Sequence, residues 1–294
     1  MAEKKKAFLY LHIAVFLFGF TAILGDLINV NFISIVWWRG ILTTLSLAII
    51  INLKTFFKIL SPKIILQQML IGAFLAIHWL FFYGSIKVSN PTMALIALSS
   101  SSLITAILEP VIVKGYRWRR VDIILGILII PGFLLIFYNS DSIQQKGLWL
   151  GLIGTILGVI FSILNKKWLI VGQEFKLTFI QMFTVFIVIS IIFVLFSGVS
   201  NLFQFEIIKG YDWAYMSMFV LLCTVLSYYL YLKSMKHINA FDVSVAFNME
   251  PIYGIIMAAL LLQDYKNISV LVYIGMVYIT ALVFLDIYLK FKKH

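Results

Sequence analysis

Apolar and polar positions along the chain alternate in long blocks rather than residue by residue. Ten mostly apolar runs are each long enough, at about 20 residues, to cross a hydrocarbon layer of about 30 Å as an α-helix. Polar and charged residues separate the runs, so the pattern predicts ten membrane-spanning helices. The runs cover residues 7–24, 33–53, 64–83, 91–113, 121–138, 147–165, 177–197, 213–232, 240–262 and 268–289.

The pattern does not fit a membrane β-barrel, because barrel strands alternate polar and apolar residues over about ten positions. The first run follows MAEKKK, is too long for the apolar core of a signal peptide and lacks a small-residue cleavage site. We therefore expect it to be kept as the first helix. The connections are short and leave no room for a soluble domain, so the predicted fold class is an all-α integral membrane protein.

Composition supports a lipid bilayer as the surrounding medium. Hydrophobic residues make up 63% of the chain and charged residues 12%, with a mean hydropathy of +1.05, whereas a soluble domain has about 25% charged residues. The net charge of +11 does not indicate a nucleic-acid partner, because the basic residues form no single patch with stacking aromatic residues. The single cysteine, Cys223, excludes an intrachain disulfide and CxxC motifs.

Lysine and arginine are divided unevenly between the two ends of the predicted helices. Eighteen of the 23 basic residues fall in the tails and the even-numbered connections, four fall in the odd-numbered connections, and Arg39 lies inside the second run. Short cytoplasmic loops carry the excess of positive charge. Both termini are therefore predicted to be cytoplasmic, in a multi-pass protein of the plasma (inner) membrane.

The chain contains an internal repeat with an offset of 149 residues. The repeat predicts two five-helix halves, residues 1–143 and 144–294. Because each half has an odd number of helices, the second enters the membrane from the opposite side, as in the inverted repeats of transporters. At this offset Ser85, Lys87, Asn90 and Ala97 meet the identical residues Ser234, Lys236, Asn239 and Ala246 without a gap.

Four features of the sequence resemble the EamA family of the drug/metabolite transporter (DMT) superfamily. They are the segments FGFTAILG, WWRGILTTL and MEPIYGIIMAALLLQD, and the SxKxxN motif that leads into the fourth and the ninth helices. The resemblance covers nearly the whole chain. It implies an exporter of small organic metabolites, with amino-acid-like solutes favoured. The chain departs from the family pattern at Phe18, where a tryptophan is usual, at Ser102, where a proline is usual, and at Lys114 and Gly115, where a Gly-Glu pair is usual.

Glu250 is the most unusual residue of the chain, because it lies in the apolar run FNMEPIYGII without a charged neighbour within seven residues. If the ninth run is one helix, Glu250 lies near the membrane midplane, where a carboxylate must be paired, protonated or turned toward the bundle interior. Pro251 frees a backbone carbonyl one turn earlier. Glu250 is therefore either a substrate or proton site, or a hydrogen-bonded acid that stabilises a kink.

Neighbouring polar residues extend this candidate site. Asn248 is a candidate substrate ligand, although two residues of helical rotation, about 200°, separate it from Glu250. At the repeat offset Glu250 matches Ser101, within the sequence SSSS of the fourth run. Ser101 either faces the substrate or bonds back to the preceding helical turn.

Arg39 lies beside Trp37 and Trp38, six or seven residues inside the second run. An arginine at this depth, about 10 Å, can extend its long side chain to the aromatic belt at the membrane surface. Alternatively it faces the cavity, where it pairs with Glu250 or binds a substrate carboxylate. The sequence leaves both interpretations open.

Aromatic residues mark the ends of two runs that the repeat relates, HWLFFY (residues 78–83) and SYYLYL (residues 227–232). They belong either to the interfacial belt or to a cavity wall, with His78, Trp79 and Tyr228 as substrate contacts. His78 is expected about 8 Å from the outer surface. His12 and Glu109 are interpreted as interfacial residues, and Lys87, Asn90, Lys236 and Asn239 as parts of caps and loops.

Two functions compete on the sequence alone, a secondary transporter of small organic solutes and a membrane-embedded enzyme acting on a lipid. Such an enzyme would need clustered acids, histidines or metal ligands, whereas the polar residues here are dispersed. No GxxxxGK loop is present, so ATP is not the expected energy source. We predict a transporter without cofactor or metal, whose partners are a small-molecule substrate and the bilayer, with proton coupling as an option.

Overall fold

The structure, a computed structural model, describes residues 2–51, 60–115, 118, 120–196, 204–235, 237–238 and 246–291. Regular structure within these residues is entirely helical. The α-helices are α1 (Ala2–Leu27), α2 (Phe32–Ile50), α3 (Pro62–Val88), α4 (Pro91–Leu98), α5 (Ser101–Ile112), α6 (Arg120–Tyr138), α7 (Ser142–Lys167), α8 (Glu174–Phe196), α9 (Asp212–Val220), α10 (Ser227–Ser234), α11 (Met249–Leu261) and α12 (Val270–Phe291). A π-helical segment (Leu221–Leu226) joins α9 to α10, and a 3-10 turn (Asp264–Asn267) precedes α12.

Several helices are long and apolar enough to cross a membrane, as expected for a multi-pass membrane protein. In the described part of the chain there are six of them, and the bent pair α4 and α5 adds a seventh. Three further apolar helices, Ile123–Tyr138, Met249–Leu261 and Val270–Leu285, are shorter. The count of ten membrane spans stays a prediction. The six are Glu3–Leu27, Phe32–Ile50, Pro62–Val88, Ser142–Lys167, Glu174–Phe196 and Asp212–Ser234.

Polar residues in the short connections define where the helices begin. The Asn31 side chain accepts a hydrogen bond from the Ser34 N–H at 2.9 Å, and Asn90 caps α4 in the same way, immediately before Pro91. Proline suits this first helical position, since its missing N–H would have no partner there. Lys87 donates to the carbonyl oxygens that end α1. Asn90 and Lys87 are therefore confirmed as capping residues.

Two runs that the apolar pattern predicts as continuous helices are interrupted. The run 91–113 bends by 43° between α4 and α5, where the Ser99 and Ser100 hydroxyls donate to carbonyls three residues earlier. In the run 240–262, residues 240–245 lie outside the described chain, Asn248 interrupts the helix, and α11 begins at Met249. Ser99 and Asn248 are separated by the repeat offset of 149 residues, so the interruptions occupy matching positions in the two halves.

Glycines on α7 bring the two halves of the chain together. A Cβ atom at Gly151 would lie 2.7 Å from Ala97, and one at Gly154 would lie 3.2 Å from the backbone nitrogen of Phe82. These approaches require glycine, because close contact between membrane helices depends on small residues at the interface. In the same way, a Cβ atom at Gly19 on α1 would lie 2.9 Å from the backbone oxygen of Glu250.

Candidate substrate cavity

A cavity of about 150 Å³ lies between α1, α2, α3, α5, α7, α10 and α11. It is bounded by helices from both predicted halves. All seven residues that the sequence proposes as substrate contacts lie on its wall: Arg39, His78, Trp79, Ser101, Tyr228, Asn248 and Glu250.

Arg39 points into the protein and is only 1% exposed. Its Nε donates to Thr224 Oγ1 at 2.8 Å, Nη1 donates to the Tyr83 hydroxyl at 2.6 Å, and Nη2 donates to the Cys223 carbonyl at 3.3 Å. The interpretation of Arg39 as a residue that extends to the membrane surface is therefore wrong. Its side chain bonds to α3 and to the π-helical segment instead.

The π-helical segment explains why the Cys223 carbonyl can accept from Arg39. In a regular α-helix this carbonyl would accept from the Ser227 N–H. Here Ser227 N–H donates to the carbonyls of Leu222 and Thr224. The Cys223 oxygen therefore does not accept from Ser227, and it accepts from the guanidinium.

Aromatic rings cover the guanidinium of Arg39. Its central carbon lies 3.7 Å from the ring centroid of Trp79 and 4.3 Å from that of Phe219. No carboxylate of the described chain lies within ion-pair distance of it. The Arg39 group, defined as Arg39, Trp79, Tyr83, Phe219 and Thr224, thus compensates a buried cation with neutral oxygens and aromatic faces.

His78 lies in the interior of α3 rather than at its end, because that helix continues to Val88. Ten residues correspond to about 15 Å of helix, so His78 lies farther from the end of its helix than the end of the apolar run at Tyr83 implied. Its depth of about 8 Å below the membrane surface stays a prediction. His78 Nδ1 lies 2.7 Å from the Gly154 carbonyl. Because a carbonyl only accepts, Nδ1 carries the proton in the neutral ring and Nε2 is an acceptor.

The belt interpretation is also wrong for the buried aromatic residues of both segments. Trp79 and Tyr228 are each 4% exposed and line the cavity. Phe18 connects the α10 tyrosines to the region of Asn248. Its ring meets Tyr228 at 5.4 Å, Tyr231 at 6.2 Å and Phe247 at 5.7 Å between centroids.

The interrupted helices carry polar side chains that have no hydrogen-bond partner among the residues that the structure describes. We define the Glu250 group as Ser101, Ser102, Asn248 and Glu250, all of which line the cavity. The Ser102 hydroxyl is buried without a hydrogen-bond partner. Within the described chain, the side chains of the other three residues also form no hydrogen bond or ion pair. Glu250 lies in the first turn of α11, where a negative charge interacts favourably with the helix dipole.

Sequence reasoning missed the role of Glu109, which it interpreted as interfacial. Glu109 lines the cavity and forms an ion pair with Lys166, so it joins α5 to the end of α7. Ser102, Thr105 and Glu109 follow the i, i+3, i+7 spacing of one helix face. That spacing in the sequence could have shown that Glu109 faces the same cavity as the serines.

The helix ends define two faces of the bundle. The N-terminal face holds the start of α1 and the end of α10, since Lys233 lies 5.4 Å from the Tyr10 ring centroid. The end of α7 lies at the same face, because Leu169, just after α7, packs in one cluster with Ala7 and Leu232. The cavity reaches this face at the Glu109–Lys166 pair.

At the opposite face, hydrogen bonds join residues 29–34 to residues 204–212. Asp212 accepts from the Asn29 backbone N–H at 2.9 Å and from its side chain at 3.1 Å. Asn31 donates from its backbone to Glu206 and from its side chain to the Gln204 carbonyl, each at 2.6 Å. We call Asn29, Asn31, Glu206 and Asp212 the clasp.

Interrupted helices that meet at a polar cavity inside a helical membrane protein are typical of secondary transporters. Among the described residues, no group of three or more His, Cys, Asp or Glu could hold a metal ion.

The sequence model of the EamA-like transporter family matches residues 5–138 and 145–285. The chain belongs to this family, and it is therefore a membrane transporter of the DMT superfamily.

Known structures agree on the fold. Among the 18 chains of solved structures that match, one crystal structure superposes with a TM-score of 0.62 at 12% sequence identity, over 97% of this chain and 98% of that chain. At this identity the likeness concerns the fold alone. None of the curated proteins compared with the chain matches it.

Proposed function

We propose that the protein is a secondary transporter that exports small organic metabolites, with amino-acid-like solutes favoured, by alternating access. The observation that carries the proposal is the cavity between residues 1–143 and 144–294, at which one interrupted helix of each half meets the other. Transporters commonly hold substrate where discontinuous helices leave polar groups without partners. The Glu250 group has this arrangement.

The proposed topology is ten spans in two inverted five-helix repeats, with both termini in the cytoplasm of a plasma-membrane protein. The bias of basic residues supports this orientation. In that orientation the N-terminal face is cytoplasmic. The cavity, which reaches this face at Glu109 and Lys166, would then take up substrate from the cytoplasm, as an exporter must.

Two sets of contacts serve as the gates in this mechanism. The clasp joins the α1–α2 connection to the connection before α9 on the opposite face. On the N-terminal face the Glu109–Lys166 pair, with the Lys167 ammonium 2.9 Å from the Ile112 carbonyl, joins α5 to α7. Alternating access requires each set to break while the other holds.

Glu250 is also the residue that we propose for proton coupling. Its carboxylate lines the cavity and has no hydrogen-bond partner within the described chain. A proton and a substrate that bind the same carboxylate cannot bind it together. This competition couples their opposite movements, provided that the carrier changes its orientation only when the carboxylate is occupied.

Cysteine labelling tests the proposed topology. In a Cys223→Ser background, cysteines at Lys146 and Lys209 should react with an impermeant maleimide added to intact cells, whereas a cysteine at Lys114 should react only after permeabilisation. All three positions are exposed on the protein. Labelling of the Lys114 position from outside would contradict the inverted arrangement.

Comparison of metabolites in cells that lack and cells that overproduce the protein tests the function itself. An exporter should lower the cellular content of its substrates and raise their content in the medium. The compounds that change are then tested for counterflow in proteoliposomes, with empty liposomes as the control. If purified protein exchanges none of them above the control, the proposed function is wrong.

A further inference from the structure

We propose that the Glu250 group recognises an ammonium group, so that substrates are organic amines for which a carboxylate is dispensable. The inference rests on the proposed transport function and deepens it. Three observations carry it: the accessible acceptor at Glu250, the aromatic rings beside it, and the inaccessibility of the cation at Arg39.

The first observation concerns the free polar groups of the cavity. Glu250 is partly exposed to the cavity and has no hydrogen-bond partner within the described chain. An ionised carboxylate only accepts hydrogen bonds. Asn248 and Ser101 add side-chain oxygens that no donor of the described chain uses. A ligand with several N–H donors and a positive charge satisfies this set, because charge-assisted hydrogen bonds are the strong ones.

The second observation concerns the rings. Phe18, Tyr228, Tyr231 and Phe247 contact one another and line the same cavity as Glu250. Gly19, next to Phe18, lies against the backbone of Glu250, so α1 brings the rings to the start of α11. Aromatic faces attract organic cations, and they also pack against the apolar body of an amine.

The third observation concerns Arg39, which is the other candidate for binding a substrate charge. It is 1% exposed, its three nitrogens already donate to oxygens of the protein, and two rings cover its faces. Three of its five N–H donors are therefore already used, and its low exposure leaves little of the guanidinium accessible to a substrate carboxylate. Glu109 and Lys166 also line the cavity, but they form an ion pair with each other. The remaining charges are an accessible anion at Glu250 and a cation with little accessible surface at Arg39, which favours amines over carboxylic acids.

Ligands that share a body and differ in their charged group test the inference. Binding to purified protein in nanodiscs is measured by calorimetry for 2-phenylethylamine, phenylalanine and 3-phenylpropanoic acid, and for the corresponding hexyl series. We expect the amine and the amino acid of at least one series to bind at least 10-fold more tightly than the acid. The inference is overturned if the acids bind as tightly as the amines, or if no amine binds.

Substitutions of Glu250 test whether this side chain is responsible for the preference for amines. Glu250→Gln should weaken amine binding at least 10-fold, whereas Glu250→Asp should keep part of it. Glu174→Gln is the matched control, because Glu174 also lies in the first helical turn, of α8, but not at the cavity. Unchanged amine binding in Glu250→Gln would overturn the inference.

The ligand series on the wild-type protein and a transport assay separate this inference from the proposed function. Amine binding without counterflow in proteoliposomes would contradict transport and support the ammonium site. Counterflow that favours acids over amines would support transport and overturn the ammonium site.

Discussion

Apart from the Glu109–Lys166 ion pair, the cavity wall contains two charged side chains, Arg39 and Glu250, whose surroundings differ. Arg39 donates to three oxygens and is covered by two rings, whereas Glu250 has no hydrogen-bond or ion-pair partner within the described chain. Both are costly in a membrane, and both have aromatic neighbours. The difference indicates that Arg39 stabilises the protein and that Glu250 is available to bind a ligand. A charged side chain that stabilises the protein thus differs from one that binds a ligand in its contacts within the protein, and not in its sign or in its depth in the membrane.

Arg39→Ala should give the largest loss of stability, because it removes three hydrogen bonds and leaves a space between Trp79 and Phe219. We expect the free energy of unfolding to fall by about 3 kcal/mol or more, measured by chemical unfolding in detergent. Arg120→Ala is the control, since Arg120 is exposed at the start of α6. If Arg39→Ala changes the free energy of unfolding by less than about 0.5 kcal/mol, the contacts of the Arg39 group do not offset the cost of burying its cation.

Weakening the clasp should expose the region beside Arg39, which lies about 10 Å below it on α2. Cys223 is the only cysteine of the chain, is buried and offers its carbonyl to Arg39, so its thiol is a native reporter. Asp212→Asn loses one acceptor of the clasp and should weaken it by about 1 kcal/mol. We expect Cys223 to react with a maleimide about 5-fold faster.

The control for this prediction is Asp141→Asn. Asp141 caps α7 in a capping box, and asparagine is an equally good cap. If Asp212→Asn leaves the Cys223 reaction rate unchanged, the clasp does not control access to the Arg39 group.

We expect Ser102→Ala to have the smallest effect on stability. It should stabilise the protein, whereas Arg39→Ala should destabilise it. The Ser102 hydroxyl is buried and has no hydrogen-bond partner among the described residues, so its removal is expected to raise the free energy of unfolding by up to about 1 kcal/mol. Ser100→Ala is the comparison, because the Ser100 hydroxyl donates to the Ala97 carbonyl at 2.7 Å. Equal destabilisation by both substitutions would mean that Ser102 is satisfied within the protein.

Much of the fold could be predicted from the sequence, because apolar run length, caps and basic residues act locally. The seven candidate residues also share one cavity, as the sequence suggested. The interruption at Ser99 was not predicted, since a hydropathy pattern records length but not the hydroxyl–carbonyl bonds that bend a helix. The interruption at Asn248 lies about one turn before Pro251, where a kink was one of the two interpretations of the sequence.

Tertiary contacts explain the remaining differences. The partners of Arg39 come from α3 and the π-helical segment, 44 to 185 residues away in sequence. Glu109 looked interfacial because it lies one turn from a helix end, and only its pairing with Lys166 shows that it faces the cavity. Neither the side-chain direction of Arg39 nor this ion pair can be obtained from one run considered alone.

Transport and stability of Glu250→Gln, measured on the same preparation, test the central claim most directly. The amide keeps the size of the side chain, and no hydrogen bond or ion pair within the described chain is lost, so the free energy of unfolding should change by less than about 0.5 kcal/mol. Counterflow of an amine substrate in proteoliposomes, with and without an imposed pH gradient, should fall at least 10-fold, while Glu174→Gln transports normally. Near-normal transport by Glu250→Gln, or a large loss of its stability, would contradict the assignment of Glu250 as the charged residue that binds the ligand.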